Sequence, residues 1–595
     1  MISRRNYLTI TAVMVVVFFM FQFTNAVLEG WNGYEKNVYA QDRESLAGQG
    51  NVYRQGQESS LGNSREKVVY IGNPDGALGK VVHSWVNYTK RESEMYSIVE
   101  EYKGDGPLPA MLVVDAEHLG WEKESCERLK EYVEQGVNLV FCNLPDVSVI
   151  KDNQALKNLL GIKEVRQEET TVEGIHLYEG FLLGGEIVYR TEDEEEYEKK
   201  QDMELTFPWY SLSSNTKAYM RGVPEKEMDV KDYPPVIWKK NFGDAHVFVV
   251  NGGYMNDAAG LGLLSAMSAE SKDYELYPVV NAQNMVITNC PGMAPENEKE
   301  IEKRYGQSMT EVFRNVIWPS VVSVYRRSTL GLSCMIAPQY DYEDDNFPSQ
   351  TEFEFYMKRL KEQSAEAGLS GESVSDTPIR QKLNEDERFV KKALPDYKFS
   401  SFYSGELTEL ELDSVLQEKM LETVRTVVKD YDGGSEVIGY QSEHITDQSI
   451  LSNGVEYTYR EDFRMRSVQT ALGYANVGMD IGAAVYPDSS QVEIDKMISD
   501  FSWNVRTYWE NFNGFSGTTL SESDQRIRNF LALDYKESRD GNVIRLDFTG
   551  TDAPVWFILR TDDERIRRIE GGNWKLLEEG VYLIEADSTH VTIEL

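Results

Sequence analysis

Short apolar runs alternate with helical periodicity between residues 66 and 275, and this alternation constrains the fold most. Val68–Ile71, Met111–Val114, Asn138–Phe141 and His246–Val250 read as strands. Leu78 to Tyr88 and Glu122 to Glu134 carry apolar residues at helical spacing, and Ala258 to Met267 is a helix of small and aliphatic residues. Strands that recur after helices lie parallel, with helices on both faces, so the region is expected to form a parallel α/β sheet. A β-rich insertion is expected near Thr170–Arg190. The carboxylate run Glu192–Glu198 reads as a solvated loop, because it lacks the spacing and turn glycine of a calcium site.

Ahead of this region, Arg4 and Arg5 precede an uncharged run from Asn6 to Leu28. As a helix the run would exceed about 30 Å, enough to cross a hydrocarbon core. The arginines keep their end cytoplasmic, which leaves the bulk of the chain outside a single-pass anchor in the cell membrane. Thr24-Asn25-Ala26 offers a competing signal-peptide cleavage site, but the length of the apolar run favours the anchor. Residues 29–65 are rich in Gly, Gln, Asn and Ser and are expected to be a flexible linker. With 61 basic and 99 acidic residues the net charge is −38, which repels phosphate backbones and excludes nucleic acid as an expected partner. Such acidity serves solubility, or meets a cationic partner such as a partly deacetylated amino sugar. Four cysteines, none in a C-x-x-C pair, exclude a disulfide-dense scaffold and a zinc ribbon.

Candidate chemistry falls between about 276 and 530. Ser308 to Arg326 is helical in period and leads to the strand Leu332–Ala337. Beyond that strand, Asp341, Glu343, Asp344 and Asp345 place four carboxylates in five residues. Barrel enzymes set working groups at strand C-terminal ends, where such acids hold a divalent metal or act as a base; a solvated acidic loop is the alternative. A second strand is expected over Lys398–Gly405, and a long helix from Glu409 to Val428. Phe501, Trp503, Tyr508, Trp509, Phe512 and Phe515 crowd one stretch; Trp503 and Trp509 are candidate sugar-stacking rings, against the alternative that the cluster packs a core. From 531 on, short alternating strands separated by Gly571-Gly572 and Glu579-Gly580 predict a small antiparallel β-domain.

Three resemblances follow from these residues. The layout of 66–275 resembles the flavodoxin-like, class I glutamine-amidotransferase-like domains, whose nucleophile sits in a G-x-C-x-G elbow. Here the comparable strand end reads Val140-Phe141-Cys142-Asn143-Leu144, without flanking glycine, so Cys142 is expected to be a buried hydrophobe and the domain non-catalytic. Residues 330–490 resemble the polysaccharide deacetylases of the chitooligosaccharide-deacetylase (NodB-type) family, in a β/α barrel. Ser435 to His444, Asp462-Phe463-Arg464 and Leu472-Gly473-Tyr474 to Asp480 follow the order of that family's motifs. The resemblance implies Asp341 as base on metal-bound water, a divalent metal such as zinc on Asp344 or Asp345 and His444, and Arg464 and Asp480 as further catalytic residues. The departures are that Tyr440 replaces the first metal histidine, leaving it a substrate-binding candidate, and that the proline after Arg464 is absent, with Met465-Arg466 instead. Tyrosine is a poor ligand at neutral pH. The whole plan resembles an uncharacterised family of membrane-anchored bacterial proteins associated with Pel-like exopolysaccharide clusters.

The function expected from sequence is an extracytoplasmic accessory protein of exopolysaccharide synthesis or modification, with extracellular polysaccharide and a synthesis complex as partners. Its barrel would bind an N-acetylated glycan without efficient turnover. An active metal-dependent deacetylase, a glycosidase and a non-enzymatic scaffold are the alternatives.

Overall fold

The computed structural model describes residue 14, residues 33–41, 43, 59 and 61–62, and residues 65–595 apart from 105, 118, 122, 227, 291, 487–493 and 552–553. The anchor expected over residues 1–28 lies, but for residue 14, outside the described residues. Among the described residues no helix is long and apolar enough to cross a membrane.

The first alternating region builds one nine-stranded sheet. Lys67–Ile71 pairs in parallel with Glu92–Tyr96 and Met111–Val114, and Asn138–Phe141 and Ala245–Val250 continue the parallel half. Pro235–Phe242, Thr216–Val223, Gly174–Leu177 and Ile187–Tyr189 then add antiparallel strands. The expected β-rich insertion is thus part of the same sheet. The carboxylate run is a short helix, Glu194–Lys200, where a loop was expected. Asp193 accepts a hydrogen bond from the Glu196 amide at 2.9 Å, and the glutamates sit at the positive end of the helix dipole with Lys199 and Lys200 at the other.

A second nine-stranded sheet carries the candidate chemistry. Its parallel strands are Ala282–Cys290, Gly331–Ile336, Glu366–Ser370, Ser401–Tyr403, Thr426–Asp430, Thr446–Ile450 and Tyr474–Asp480. Thr446–Ile450 pairs with Thr426–Asp430, and the directly following Ser452–Asn453 pairs with Val477 and Gly478. One continuous segment therefore bonds to both ends of the sheet, which curls into a barrel. The helix expected over 409–428 stops at Val415, and its tail becomes the strand Thr426–Asp430. Thr426, Val427 and Val428 are β-branched and fully buried, which suits a sheet interior better than a helix.

The helix Leu520–Ala532 closes the base of this barrel, where the strands begin. Leu520 donates its amide to Ser333 Oγ (3.0 Å), Ser521 to Glu366 Oε2 (2.7 Å), and Gln448 Nε2 donates to the Leu520 carbonyl (3.1 Å). Described parts of the stretch expected to be a linker also dock at the base. Asn37 Nδ2 donates to Ser400 Oγ (2.8 Å), Tyr39 OH to Glu522 (3.1 Å), and Arg43 to the carbonyls of Val424 (3.1 Å) and Leu416 (2.8 Å). Composition alone hides this, because the contacts are polar bonds to carbonyls and hydroxyls rather than apolar burial.

The C-terminal region forms two four-stranded antiparallel sheets, as its alternation predicts. One of them borrows Tyr274–Val279, which pairs with Val555–Thr561.

The first sheet and the barrel meet where the helices Ala259–Ala269 and Tyr459–Leu472 cross. Gly262 donates its amide to Ser467 Oγ at 3.0 Å, and a Cβ on Gly262 would sit 2.1 Å from the Ser467 carbonyl oxygen. Gly262→Leu is expected to lower stability by about 3 kcal/mol in urea unfolding, since neither backbone has room to retreat. A change below about 1 kcal/mol would mean that the helices do not cross there.

Candidate functional site

Strand C-terminal ends converge on a cavity of about 320 Å³ at the barrel mouth. Thr288 and Asp480 come from adjacent strands, Glu372 follows Glu366–Ser370, and Tyr403 and Asp430 end two further strands. Ser452 and Asn453 line the next segment, and Glu461 and Arg464 reach in from the helix Tyr459–Leu472. Each parallel strand stops at the same end of the barrel, so its last side chain points into a shared opening.

Asn289, fully buried in a left-handed conformation, organises the acids. Its Nδ2 donates to Asp480 Oδ1 (2.9 Å) and to Glu372 Oε2, and its Oδ1 accepts from Ser370 Oγ (2.6 Å). Tyr403 OH donates to Asp430 Oδ2 (2.9 Å), and Gly482 N donates to Asp480 Oδ1 (2.8 Å). Burial pushes the Glu372 carboxyl up to about 7, and the charges of Asp480, Asp430 and Glu406 add to this against the Asn289 hydrogen bond. Burial also raises Asp430 and Asp480, and lifts Glu461 to about 7 although Arg464 opposes it. Arg464 lies 3.6 Å from Glu461, donates to the Leu451 carbonyl (3.0 Å), and stacks over Tyr431 with its guanidinium 4.3 Å from the ring centre.

Of the residues singled out in the sequence, Arg464 and Asp480 are brought together in this cavity. Asp341, Asp344 and Asp345 occupy the loop beside the mouth and do not line it. The Asp341 amide donates to Glu296 Oε1 (2.6 Å), and the carboxylates of Asp341 and Asp344 accept from the amides of Glu343 (2.9 Å) and Asn346 (2.8 Å). Asp345 is exposed. Buried Glu296 is pushed up to about 7 by burial, with Asp344 and Asp341 adding to it against the backbone hydrogen bonds it accepts.

Tyr440 and His444 lie at the opposite end, and this corrects the expected metal cluster. Tyr440 pairs with Thr446 at the start of its strand, and the His444 carbonyl accepts from Arg528 (2.8 Å) of the helix closing the base. The C-terminal end of that strand is roughly 13 Å farther along. Among the described residues no three His, Cys, Asp or Glu side chains are grouped to hold a metal ion. The residues present therefore do not fit the metal of NodB-type deacetylases. Trp509 is 3% exposed and packs against Tyr457 (ring centres 4.7 Å apart), as core packing requires. Trp503 is half-exposed under Lys200, 4.2 Å from its Nζ, away from the cavity.

Cys142 is buried and its thiol is pushed well up, first by burial and then by the neighbouring Asp115. It behaves as a small hydrophobe, and all four cysteines are free and buried.

Glu372, Asp430, Glu461 and Tyr403 were not expected in the site. Glu372 follows a strand, Glu366–Ser370, whose Glu-Ala-Gly-Leu-Ser has little β character. The one available signal was the Gly371-Glu372 pair just after Leu369-Ser370.

A sequence profile of the family described as "Uncharacterised protein conserved in bacteria (DUF2194)" matches residues 184–452. No curated protein matches the chain. Its fold is similar to the crystal structure of Agd3, "a novel carbohydrate deacetylase", with a TM-score of 0.52 at 11% identity over 89% of this chain and 98% of that one. A glutamine amidotransferase from Thermotoga maritima matches 34% of this chain and 80% of its own at 11% identity and a TM-score of 0.22. An endo-β1,6-glucanase matches 52% and 82% at 10% identity and a TM-score of 0.22.

Proposed function

We propose that this protein handles extracellular polysaccharide by taking a sugar unit into the mouth of its barrel, as an accessory factor of exopolysaccharide synthesis or modification that does not run metal-dependent deacetylation. The observation that carries this reading is the acid- and tyrosine-lined cavity at the strand ends, with His444 at the far end of the same barrel. Carboxylates accept from sugar hydroxyls, and the rings of Tyr403 and Tyr431 offer apolar faces to sugar C–H groups. The likeness of fold to a protein titled as a carbohydrate deacetylase supports the sugar class. A membrane anchor at the N-terminus would hold the barrel by its base, where Asn37, Tyr39 and Arg43 dock, and leave the mouth turned outward.

A second reading has one observation in its favour. Glu372 and Asp480 both accept from a single nitrogen, Asn289 Nδ2, so their bonded oxygens lie within roughly 6 Å of each other. Glycosidases need a carboxylate pair about 5–10 Å apart.

One incubation separates these readings. The full chain is mixed with a partly N-acetylated hexosamine oligosaccharide, with zinc or cobalt present. Saturable binding is expected, with neither acetate nor new reducing ends. Steady acetate release would show an active deacetylase, steady reducing-end release a glycosidase, and absence of binding a scaffold.

A further inference from the structure

Glu372, Asp430 and Asp480 open into one cavity, and among the described residues no lysine, arginine or histidine neutralises any of them. The cavity's cation, Arg464, makes no ion pair with these three acids: its Nη2 donates to the Leu451 carbonyl and lies 3.6 Å from Glu461, its guanidinium covers the Tyr431 ring, and its Nε has no hydrogen-bond partner. The donors that face the acids are all uncharged: the Asn289 amide shared by Glu372 and Asp480, the Tyr403 hydroxyl on Asp430, and the Gly482 amide (2.8 Å) and Thr288 hydroxyl (3.4 Å) on Asp480.

A second observation points to a ligand. Ser452 lines the same cavity, is 3% exposed, and its Oγ has no hydrogen-bond partner. A buried hydroxyl left unpaired costs about 1–3 kcal/mol, unless a bound group completes it. The acids and this hydroxyl together ask for a ligand that brings positive charge and several donors.

We infer that the sugar bound in this cavity carries a protonated free amine, so that the recognised unit is a 2-amino sugar of a deacetylated glycan and not its N-acetylated form. The inference rests on the reading that the mouth takes a sugar. An ammonium group brings three N–H donors and one positive charge into the cavity that Glu372, Asp430 and Asp480 line. An acetamide offers one N–H and brings a carbonyl acceptor into a cavity already crowded with acceptors. The raised carboxyl of Glu372 has the same origin, since part of the rise is repulsion among these acids that a bound cation would relieve. The metal alternative is disfavoured by the side-chain grouping, which among the described residues forms no metal-holding set.

The test titrates the full chain with a glucosamine hexamer, its fully N-acetylated counterpart and a lysine hexamer, at low and high salt. The glucosamine hexamer is expected to bind at least about tenfold more tightly than the acetylated one, and that preference should shrink in high salt as charges are screened. In the double variant Glu372→Gln with Asp430→Asn the ratio of the two affinities should fall toward one, and its dependence on salt should disappear. The salt response of the unaltered chain is an independent readout should that variant misfold. Equal or tighter binding of the acetylated hexamer would overturn the inference and leave the sugar reading intact. Lysine hexamer binding as tightly as glucosamine would overturn it too, by showing that the site reads charge without the sugar. Binding of no sugar at all would overturn the sugar reading, and the inference with it.

Discussion

Asp524→Ala is expected to lower the stability of the chain by about 3–5 kcal/mol, because it strands two buried guanidinium groups at the barrel base. Asp524 Oδ1 accepts from Arg528 Nε (2.8 Å) and Thr446 Oγ1 (2.7 Å), and its other oxygen lies 3.0 Å from Arg425 Nη2. All three charged residues are almost wholly excluded from water. Arg528 also donates to the carbonyls of Arg425 and His444, both at 2.8 Å, so it ties the closing helix to the starts of two strands. Removing the carboxylate leaves those cations desolvated and uncompensated. Urea unfolding of the variant beside Asp524→Asn, which keeps an acceptor but not the charge, checks the argument. A loss below about 1 kcal/mol for the alanine variant would mean that the base is wetter than its burial indicates.

Glu372→Gln should act in the opposite direction and depend on pH. The folded protein holds the Glu372 carboxyl near 7, against 4.5 for the free group, with burial as the first cause. A carboxyl raised in the folded state favours its neutral form there. The associated stability is therefore fully present below about pH 4.5 and is lost as pH rises through about 7. The shift corresponds to about 3 kcal/mol, and solvent screening at the open mouth reduces it to about 2 kcal/mol. Glutamine carries no charge at any pH and its carbonyl can still accept from Asn289. The variant should match the parent near pH 4 and exceed it by about 2 kcal/mol at pH 8. Parallel unfolding curves at both pH values would test this, and an equal difference at the two would refute the assigned protonation. Stability given up at a cavity of this kind is the usual cost of keeping charged groups ready for a ligand.

Much of the scaffold is legible in the sequence. Val68–Ile71, Met111–Val114 and Asn138–Phe141 are strands because short aliphatic runs between turns have few other ways to be buried. Gly473, in the left-handed conformation, ends the helix that carries Arg464 and starts the strand that ends at Asp480. This local punctuation is why those two residues come to line one cavity. The reading failed where a segment's period was ambiguous. Residues 416–428 continue a helical pattern in composition, yet Thr426–Asp430 is a strand, and with it the cavity acid Asp430 was overlooked. Glu366–Ser370 gives no strand signal because its residues have little β character, and Glu372 goes unread with it.

Tyr440 and His444 failed differently. Their spacing from Glu436 agrees with a motif that elsewhere faces a metal, but spacing along a chain does not state which end of a strand a residue occupies. The short antiparallel hairpin Ile438–Tyr440 turns the segment so that both residues precede Thr446. In a parallel barrel that places them at the closed base, against Arg528, with the acids at the other end.

What the sequence determined by itself was most of the local elements: the aliphatic strands and amphipathic helices of the first region, and that the chain ends in antiparallel β structure. Those depend on contacts within a few residues, and side-chain periodicity reports them directly. The tertiary structure alone decided that Glu372, Asp430 and Asp480 share one opening while His444 is excluded from it. That outcome depends on strand order and direction around a curled sheet, set by pairing between segments well separated in the chain, for which a single sequence carries no local signal.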